Sequence, residues 1–157
     1  ALKDMLTGLY SRNAYDEWER DNQHPDKTAI VMLDLNNLKK CNDRYGHEAG
    51  DTYLKKASEM ITNAFSQENT VYRIGGDEFV VLIQESVSNI DSILQVFDVT
   101  IHDWHGKYSN LISVSYGVVK SSEQDFDAVQ EISKLVDERM YQNKKDYYTT
   151  SCNDRRR

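Results

Sequence analysis

Apolar residues recur along this chain in two different periods, and these periods predict its secondary structure. Runs rich in β-branched and aromatic residues predict four strands, over 28–33, 70–74, 79–83 and 111–119. Helical spacing and capping residues predict five helices, over 12–21, 36–44, a segment after residue 51, 90–101 and 126–145. The order is helix, strand, helix, helix, strand, strand, helix, strand, helix. It predicts an α+β domain with helices flanking a largely antiparallel central sheet.

Glycines divide the predicted elements at three places. Gly46 and Gly50 bracket a predicted loop, and Gly75 with Gly76 forms a tight turn that joins the second and third strands into a hairpin. Gly117 interrupts the last strand, where we expect a β-bulge.

Length and charge limit the kind of protein. The 157 residues fit one domain, which we place at 1–148, followed by a basic tail, 149–157, that we expect to be disordered. The net charge of −7 argues against nonspecific nucleic-acid binding, which depends on positive charge. A phosphorylated small molecule could still bind through local basic residues and a divalent metal.

Cysteines and hydropathy indicate the cellular setting. Cys41 and Cys152 are far apart and fit neither a disulfide framework nor a zinc site, so we expect a cytoplasmic domain. We find no apolar run of the roughly 20 residues that a membrane helix needs. Because the sequence begins without methionine, we interpret it as a fragment of a longer parent, for which membrane attachment stays open.

Acidic residues stand at the ends of two predicted strands. Residues 73–79 read Arg-Ile-Gly-Gly-Asp-Glu-Phe, and the strand over 28–33 stops at Asp34. Taken alone, the first segment fits an ordinary solvated hairpin turn. The two acidic strand ends together indicate one shared metal site, since carboxylate oxygens are ligands for Mg²⁺.

Four motifs occur in a characteristic order, at 4–12 (Asp-Met-Leu-Thr-Gly-Leu-Tyr-Ser-Arg), 34–39, 42–51 and 75–79 (Gly-Gly-Asp-Glu-Phe). In this combination the chain resembles the GGDEF family of diguanylate cyclases, over nearly its whole length. The resemblance implies a palm-like nucleotidyl cyclase fold that binds GTP and Mg²⁺, with two ions in each half-site and Mn²⁺ as an alternative. It also implies a homodimer that joins two GTP molecules into cyclic di-GMP and releases two pyrophosphates. A sensor or regulatory domain is expected in the parent, and no nucleic-acid partner.

The resemblance assigns roles to the acidic strand ends. Asp34 and Asp77 match the metal-binding carboxylates, with the Leu35 carbonyl as a further ligand. Asp77 and Glu78 match the catalytic positions, where they would assist deprotonation of the attacking hydroxyl or support the metal.

Guanine recognition is assigned by the resemblance to the segment 42–51. Asn42 and Asp51 match the guanine-binding positions, and guanine requires a carboxylate and an amide as partners. His47 falls at a position associated with substrate. Each residue also has a structural interpretation, Asn42 as a helix terminator, Asp51 as a helix cap and His47 as an exposed loop residue.

Triphosphate binding is assigned to backbone amides around Asn37 and Leu38 at a helix start, where N–H groups are free. Lys39 adds positive charge. Arg73 and Lys144 match basic positions near the phosphates, although a lysine on a terminal helix is usually solvated.

The end of the last helix departs from the family pattern. The family commonly has Gly-Arg-Asn three residues after the lysine, whereas here Tyr147 and Tyr148 follow Lys144 at the first two of these positions. We expect weaker phosphate binding without the arginine, with Lys145 as a possible replacement. We interpret the tyrosines as helix packing.

A second departure concerns product inhibition. Ser66 and Asn69 stand where many members carry Arg-x-x-Asp, a motif that binds the product. We therefore expect weak inhibition or none at this position.

Two other functions compete with a cyclase that joins two GTP molecules. The first is a noncatalytic GGDEF-type domain that binds GTP or another ligand and regulates a neighbouring domain. The second is a hybrid cyclase that joins guanine to adenine, which Asp51 argues against because it retains the acidic partner for guanine.

Overall fold

Nine elements make up the computed structural model, which describes residues 2–65, 69–84, 90–103 and 113–155. In chain order they are α1 (Arg12–Asp21), β1 (Thr28–Leu35), α2 (Leu38–Tyr45), α3 (His47–Phe65), β2 (Thr70–Arg73), β3 (Glu78–Gln84), α4 (Ile90–Asp103), β4 (Val114–Lys120) and α5 (Val129–Arg155). The order is the one that the apolar pattern predicts. Ser11 caps α1 by accepting a hydrogen bond from the Ala14 amide, as expected for serine at this position.

The four strands form one sheet in the order β2-β3-β1-β4, and every pairing is antiparallel. All eight residues of β1 are buried, which explains its nearly uninterrupted apolar sequence. The register places Asp34 at the end of β1 between Glu78 on β3 and Ser115 on β4. The acidic strand end therefore lies in the middle of the sheet edge.

Helices cover both faces of the sheet. Alternate residues of β1 point to opposite sides, so its apolar side chains need to be buried on both faces. Val31 and Leu33 belong to a core that α3 closes with residues such as Ile61, and Phe97 of α4 joins it. Ile30 and Met32 belong to a second core, formed with residues of α1 and α5 that include Tyr15, Ile132 and Val136. Asp34 has the same parity as Ile30 and Met32, so it faces α5. The predicted α+β class with a largely antiparallel sheet is confirmed.

Two predictions about glycines were wrong. Gly50 does not bound a loop, because α3 already begins at His47 and includes it. The chain turns instead at Gly46, whose φ of 93° is in the region that favours glycine. Gly117 does not form a bulge, because it pairs directly with Met32 in an unbroken register. Glycine is required there by packing, since an added Cβ would lie 2.5 Å from the Met140 amide nitrogen of α5.

The last helix is longer than predicted. It continues to Arg155, into the stretch 149–157 for which the sequence predicts disorder. Among the residues that the structure describes, no helix is both long and apolar enough to span a bilayer.

Candidate active site

Three carboxylates converge where β1 and β3 meet the hairpin turn. Asp34, Asp77 and Glu78 each offer one oxygen, and these oxygens lie within 4.8 Å of one another. The pairing of β1 with β3 places Asp34 opposite Glu78, and the Leu35 amide donates a 2.9 Å hydrogen bond to the Asp77 carbonyl. The structure thus brings together the acids of the two strand ends, as the sequence predicts.

Asp34 is the most buried of the three, and α5 provides its counterion. Its Oδ2 lies 2.8 Å from the Lys144 Nζ, while its Oδ1 is buried with no hydrogen-bond donor among the described residues. Burial raises the pKa of Asp34 from 3.8 to about 6, Lys144 opposes this increase, and the nearby Asp77 charge adds to it. Burial, and then Asp77, also raise the pKa of Glu78. The cluster therefore has excess negative charge that Lys144 only partly offsets.

The chain after β1 is fixed by a buried polar network around Asn36. The Asn36 Nδ2 donates to the Ser113 hydroxyl at 3.0 Å, and its Oδ1 accepts from the Ser115 hydroxyl at 3.1 Å. The Tyr53 hydroxyl donates to its carbonyl at 2.9 Å. These contacts satisfy an amide that has no solvent exposure. They hold the start of the next turn at a defined position.

A cavity of about 400 Å³ opens beside the carboxylates. It is lined by residues of the turn after β1, of α2, of the hairpin turn and of α5: Leu35, Asn37, Leu38, Lys39, Lys40, Asp43, Asp77, Lys144 and Tyr148. The first amides of α2 lack partners within the helix, and they belong to this lining segment. Two predicted metal ligands, Leu35 and Asp77, therefore line the same cavity as four predicted phosphate residues: Asn37, Leu38, Lys39 and Lys144.

The predicted guanine residues lie outside this cavity lining, on α2 and α3. Asn42 packs against α3 at Gly50, where an added Cβ would come within 1.7 Å of its Oδ1. His47 and Asp51 lie on the first turns of α3 and are exposed. Gly50, which directly precedes Asp51 in the sequence, therefore leaves room for the Asn42 side chain. This glycine is visible in the sequence, where its pattern predicts a loop instead.

Arg73 contacts residues outside the cavity lining. Its guanidinium pairs with the Asp4 carboxylate at 3.1 Å and donates to the Gly76 carbonyl at 2.8 Å, so it braces the hairpin turn against the N-terminal segment. Burial raises the pKa of Asp4, but hydrogen bonds from Thr7 and the contact with Arg73 together lower it below its ordinary value. The predicted phosphate role of Arg73 stays a prediction.

Two tyrosines of α5, about one turn after Lys144, belong to the candidate site, which the sequence reasoning missed. Tyr147 accepts a 2.8 Å hydrogen bond from the Asn37 side chain, and Tyr148 lines the cavity. The available signal was that these two tyrosines occupy the positions that depart from the family pattern. Lys145, expected to replace the missing arginine, lies over the Tyr141 ring and outside the cavity lining.

The second departure lies partly outside the described residues, because Ser66 is not among them. Asn69 donates its side-chain amide to the Phe65 carbonyl. The expectation of weak product inhibition stays a prediction.

The donor set suits a hard divalent cation. The three carboxylates supply the oxygen ligands that Mg²⁺ and Mn²⁺ prefer, and one buried oxygen of Asp34 has no hydrogen-bond partner among the described residues. The structure describes no cysteine or histidine in the cluster. Asp34, Asp77 and the Leu35 carbonyl are therefore suitable candidates to hold the metal.

Comparison with known proteins decides the family. The sequence model described as "Diguanylate cyclase, GGDEF domain" matches residues 1–148. The chain belongs to the GGDEF family. The predicted family is thus confirmed, and metal dependence is general among its diguanylate cyclases.

Similar proteins include both cyclases and a phosphodiesterase. The diguanylate cyclase DgcS of Shewanella oneidensis is 31% identical over 150 residues, which cover 92% of this GGDEF domain and 50% of DgcS. The cyclic di-GMP phosphodiesterase PdeR of Escherichia coli is 42% identical over 85 residues, covering 52% of this chain and 13% of PdeR. This GGDEF domain therefore spans at most half the length of these two relatives.

A solved structure agrees with the fold. The GGDEF domain of DgcB from Caulobacter crescentus, in complex with c-di-GMP, superposes with a TM-score of 0.79 at 22% identity, covering 92% of this chain and 91% of that one. At this identity the likeness supports the palm fold alone.

Proposed function

We propose that this GGDEF domain is a diguanylate cyclase that condenses two GTP molecules into cyclic di-GMP and two pyrophosphates. The observation that carries the proposal is the convergence of Asp34, Asp77 and Glu78 beside the cavity that Lys144 and the start of α2 line. Such a site combines acids that can bind metal with amides and a lysine that can bind phosphate. Nucleotidyl transfer requires both.

The reaction is attack of one ribose 3′-hydroxyl on the α-phosphate of the other GTP. When bound at Asp34, Asp77 and the Leu35 carbonyl, a pair of Mg²⁺ ions would acidify this hydroxyl and offset charge on the triphosphate. Glu78 lies next to Asp77 and has a raised pKa, so it is suited to receive or relay the hydroxyl proton. Lys144 can exchange its contact with Asp34 for the phosphates.

Substrate binding divides between two regions. The amides of Asn37 and Leu38, with Lys39, are suited to the triphosphate. Asn42 and Asp51 on the α2–α3 hairpin are suited to the guanine edge, with His47 close in sequence. Guanine then lies away from the carboxylates and the phosphates close to them.

Catalysis across two chains follows from the product. Cyclic di-GMP contains two phosphodiester bonds related by symmetry, and one site holds one GTP. Two copies of the domain therefore have to face each other, each supplying one hydroxyl and one α-phosphate. We place this reaction in the cytoplasm, under the control of a sensor or regulatory domain of a longer parent.

A regulatory domain without synthesis is the second candidate. Tyr147 and Tyr148 replace the usual Gly-Arg pattern at the cavity, and a phosphodiesterase is among the similar proteins. In this alternative the cavity binds GTP and the bound state is transmitted to a neighbouring domain.

The Asp77→Ala variant separates the two functions. We expect wild-type protein with GTP and Mg²⁺ to yield cyclic di-GMP by mass spectrometry, and the variant to lose at least about 100-fold in rate because a metal ligand is missing. The fold should persist, since the hydrogen bond from Leu35 uses the backbone carbonyl of residue 77.

The control is Asp21→Ala, which removes an exposed carboxylate at the end of α1. It should synthesise product at the wild-type rate. Undiminished synthesis by the Asp77→Ala variant would remove Asp77 from the mechanism. Wild-type protein that binds GTP but forms no cyclic di-GMP would favour the regulatory domain.

A further inference from the structure

Asn37 has an unusual backbone conformation at the start of α2. Its φ of 66° and ψ of 11° are left-handed, which residues other than glycine adopt at a cost. It precedes the first residue of α2 but forms no side-chain capping hydrogen bond. Instead, its carbonyl accepts from the Cys41 amide at 2.9 Å, so the conformation of Asn37 sets the first turn of the helix.

The Asn37 side chain is held from the other end of the chain. Its Nδ2 donates a 2.8 Å hydrogen bond to the Tyr147 hydroxyl on α5, 110 residues later in the sequence. Tyr147 follows Lys144 by one helical turn, and Lys144 pairs with Asp34. Helix α5 therefore makes two contacts in this region, one with Asp34 at the end of β1 and one with Asn37 at the turn into α2.

This second contact affects the cavity wall directly. Asn37 and the two residues after it line the cavity, and the amides at this helix start are the candidate phosphate donors. A change in Asn37 would rotate these amides relative to Asp77 and Lys144, which line the same cavity. The Tyr147 ring is in turn fixed by an edge contact with Tyr148, with ring centroids 5.1 Å apart.

We propose that Tyr147 is a positioning residue, whose hydroxyl holds Asn37 in its left-handed conformation and so orients the amides that bind the triphosphate. The part of this inference that concerns triphosphate rests on the proposed function. The part that concerns the turn does not, and it can be measured without nucleotide.

The test is the Tyr147→Phe variant, which removes the hydroxyl and keeps the ring contact with Tyr148. In nucleotide-free protein, hydrogen exchange of the Cys41 amide should accelerate about 3- to 10-fold, as expected for the loss of one hydrogen bond. Affinity for the α,β-methylene analogue of GTP, from which pyrophosphate cannot leave, should weaken by a similar factor with Mg²⁺ present. In turnover, KM should rise by more than kcat falls.

Two further variants make the test specific. Tyr141→Phe removes a hydroxyl from an exposed ring of the same helix and should change none of these three readouts. Asn37→Gly supplies a residue that adopts the left-handed conformation without support. In that background Tyr147→Phe should have no further effect, because the two residues act through one contact.

Four outcomes are decisive. Wild-type exchange and affinity in Tyr147→Phe would overturn the proposal, and so would an equal loss in the Asn37→Gly background. Faster exchange at Cys41 with unchanged analogue affinity would overturn the orienting role. If the wild-type protein binds no GTP analogue at all, the proposed function fails, while the exchange result still decides whether Tyr147 holds the turn.

Discussion

Asp34 illustrates how this site depends on a buried charge. Placing a carboxylate in the interior is unfavourable unless a partner offsets it, and here Lys144 contacts one oxygen while the other has no donor among the described residues. The neighbouring Asp77 increases the cost. A residue optimised for stability would not have this environment, which supports the proposed role of Asp34 as a metal ligand.

The raised pKa of Asp34 has a consequence for stability in metal-free protein. Its folded-state pKa of about 6 lies above the ordinary 3.8, so between these values the folded protein holds this proton more tightly than the unfolded chain does. Stability from this group is present below pH 3.8 and is lost as the pH rises through 6.

We expect the Asp34→Asn variant to lack this dependence. Relative to the variant, wild-type protein in EDTA should lose about 1 to 2 kcal/mol of unfolding free energy between pH 4 and pH 7, after allowance for screening by water. Urea unfolding at several pH values measures the difference. A constant difference between the two proteins would mean that Asp34 does not titrate as described.

The contact between Arg73 and Asp4 gives a second prediction at this scale. Replacing Asp4 with alanine leaves a largely buried guanidinium without its carboxylate, and removes the acceptor of the Thr7 hydrogen bonds. We expect a loss of about 1 to 3 kcal/mol in unfolding free energy.

The matched control is Asp16→Ala, which breaks the exposed pair with Arg12 and should cost less than about 0.5 kcal/mol. Equal effects of the two substitutions would show that the hairpin turn does not depend on the Asp4 contact.

The sequence predicted part of this site and missed another part, for a physical reason. Asp34, Asp77 and Glu78 were found because strand ends in one sheet meet at an edge. The contact of Tyr147 with Asn37 was missed because residues 110 positions apart meet only through the rotation and length of α5. Local patterns predict a helix here, but they do not predict which residues of another element it contacts.

At the scale of elements, packing explains where the predictions from periodicity failed. Gly117 has the pattern of a bulge, yet β4 is regular and α5 lies directly on it. Gly50 has the pattern of a loop, yet it lies inside α3, where the Asn42 side chain occupies the space of a Cβ. The element order was predictable from local periods, whereas the reason for each glycine depends on its neighbours in space.

Substitution can distinguish a glycine that packing requires from one that has no close neighbours. Gly117→Ala would place a methyl group 2.5 Å from one backbone atom of α5 and 2.6 Å from another. Because backbone cannot rotate away as a side chain can, we expect a loss of about 2 kcal/mol or more. Thermal or urea unfolding measures this loss.

Gly76→Ala is the comparison, since nothing lies within 4 Å of an added Cβ in the hairpin turn. It should change the unfolding free energy by less than about 0.5 kcal/mol. If Gly117→Ala were equally mild, α5 would not pack on β4 as closely as described.

At the scale of the whole molecule, the cavity beside the carboxylates is proposed to hold one GTP, whereas the proposed product requires two GTP molecules. An isolated domain can therefore fold and bind GTP while turning over slowly, because two half-sites seldom meet at low concentration. Each copy carries a net charge of −7, which adds repulsion to this encounter. Dimerisation is then the step that a parent protein would control.

The most direct measurement is the rate of cyclic di-GMP formation from GTP and Mg²⁺, resolved by mass, across a series of protein concentrations and in an enforced dimer. We predict that the rate per protein molecule rises with protein concentration. At low concentration the total rate should approach proportionality to the square of the concentration. The enforced dimer should remove this dependence. Absence of cyclic di-GMP at every concentration and in a correctly aligned enforced dimer, with GTP bound, would contradict the account.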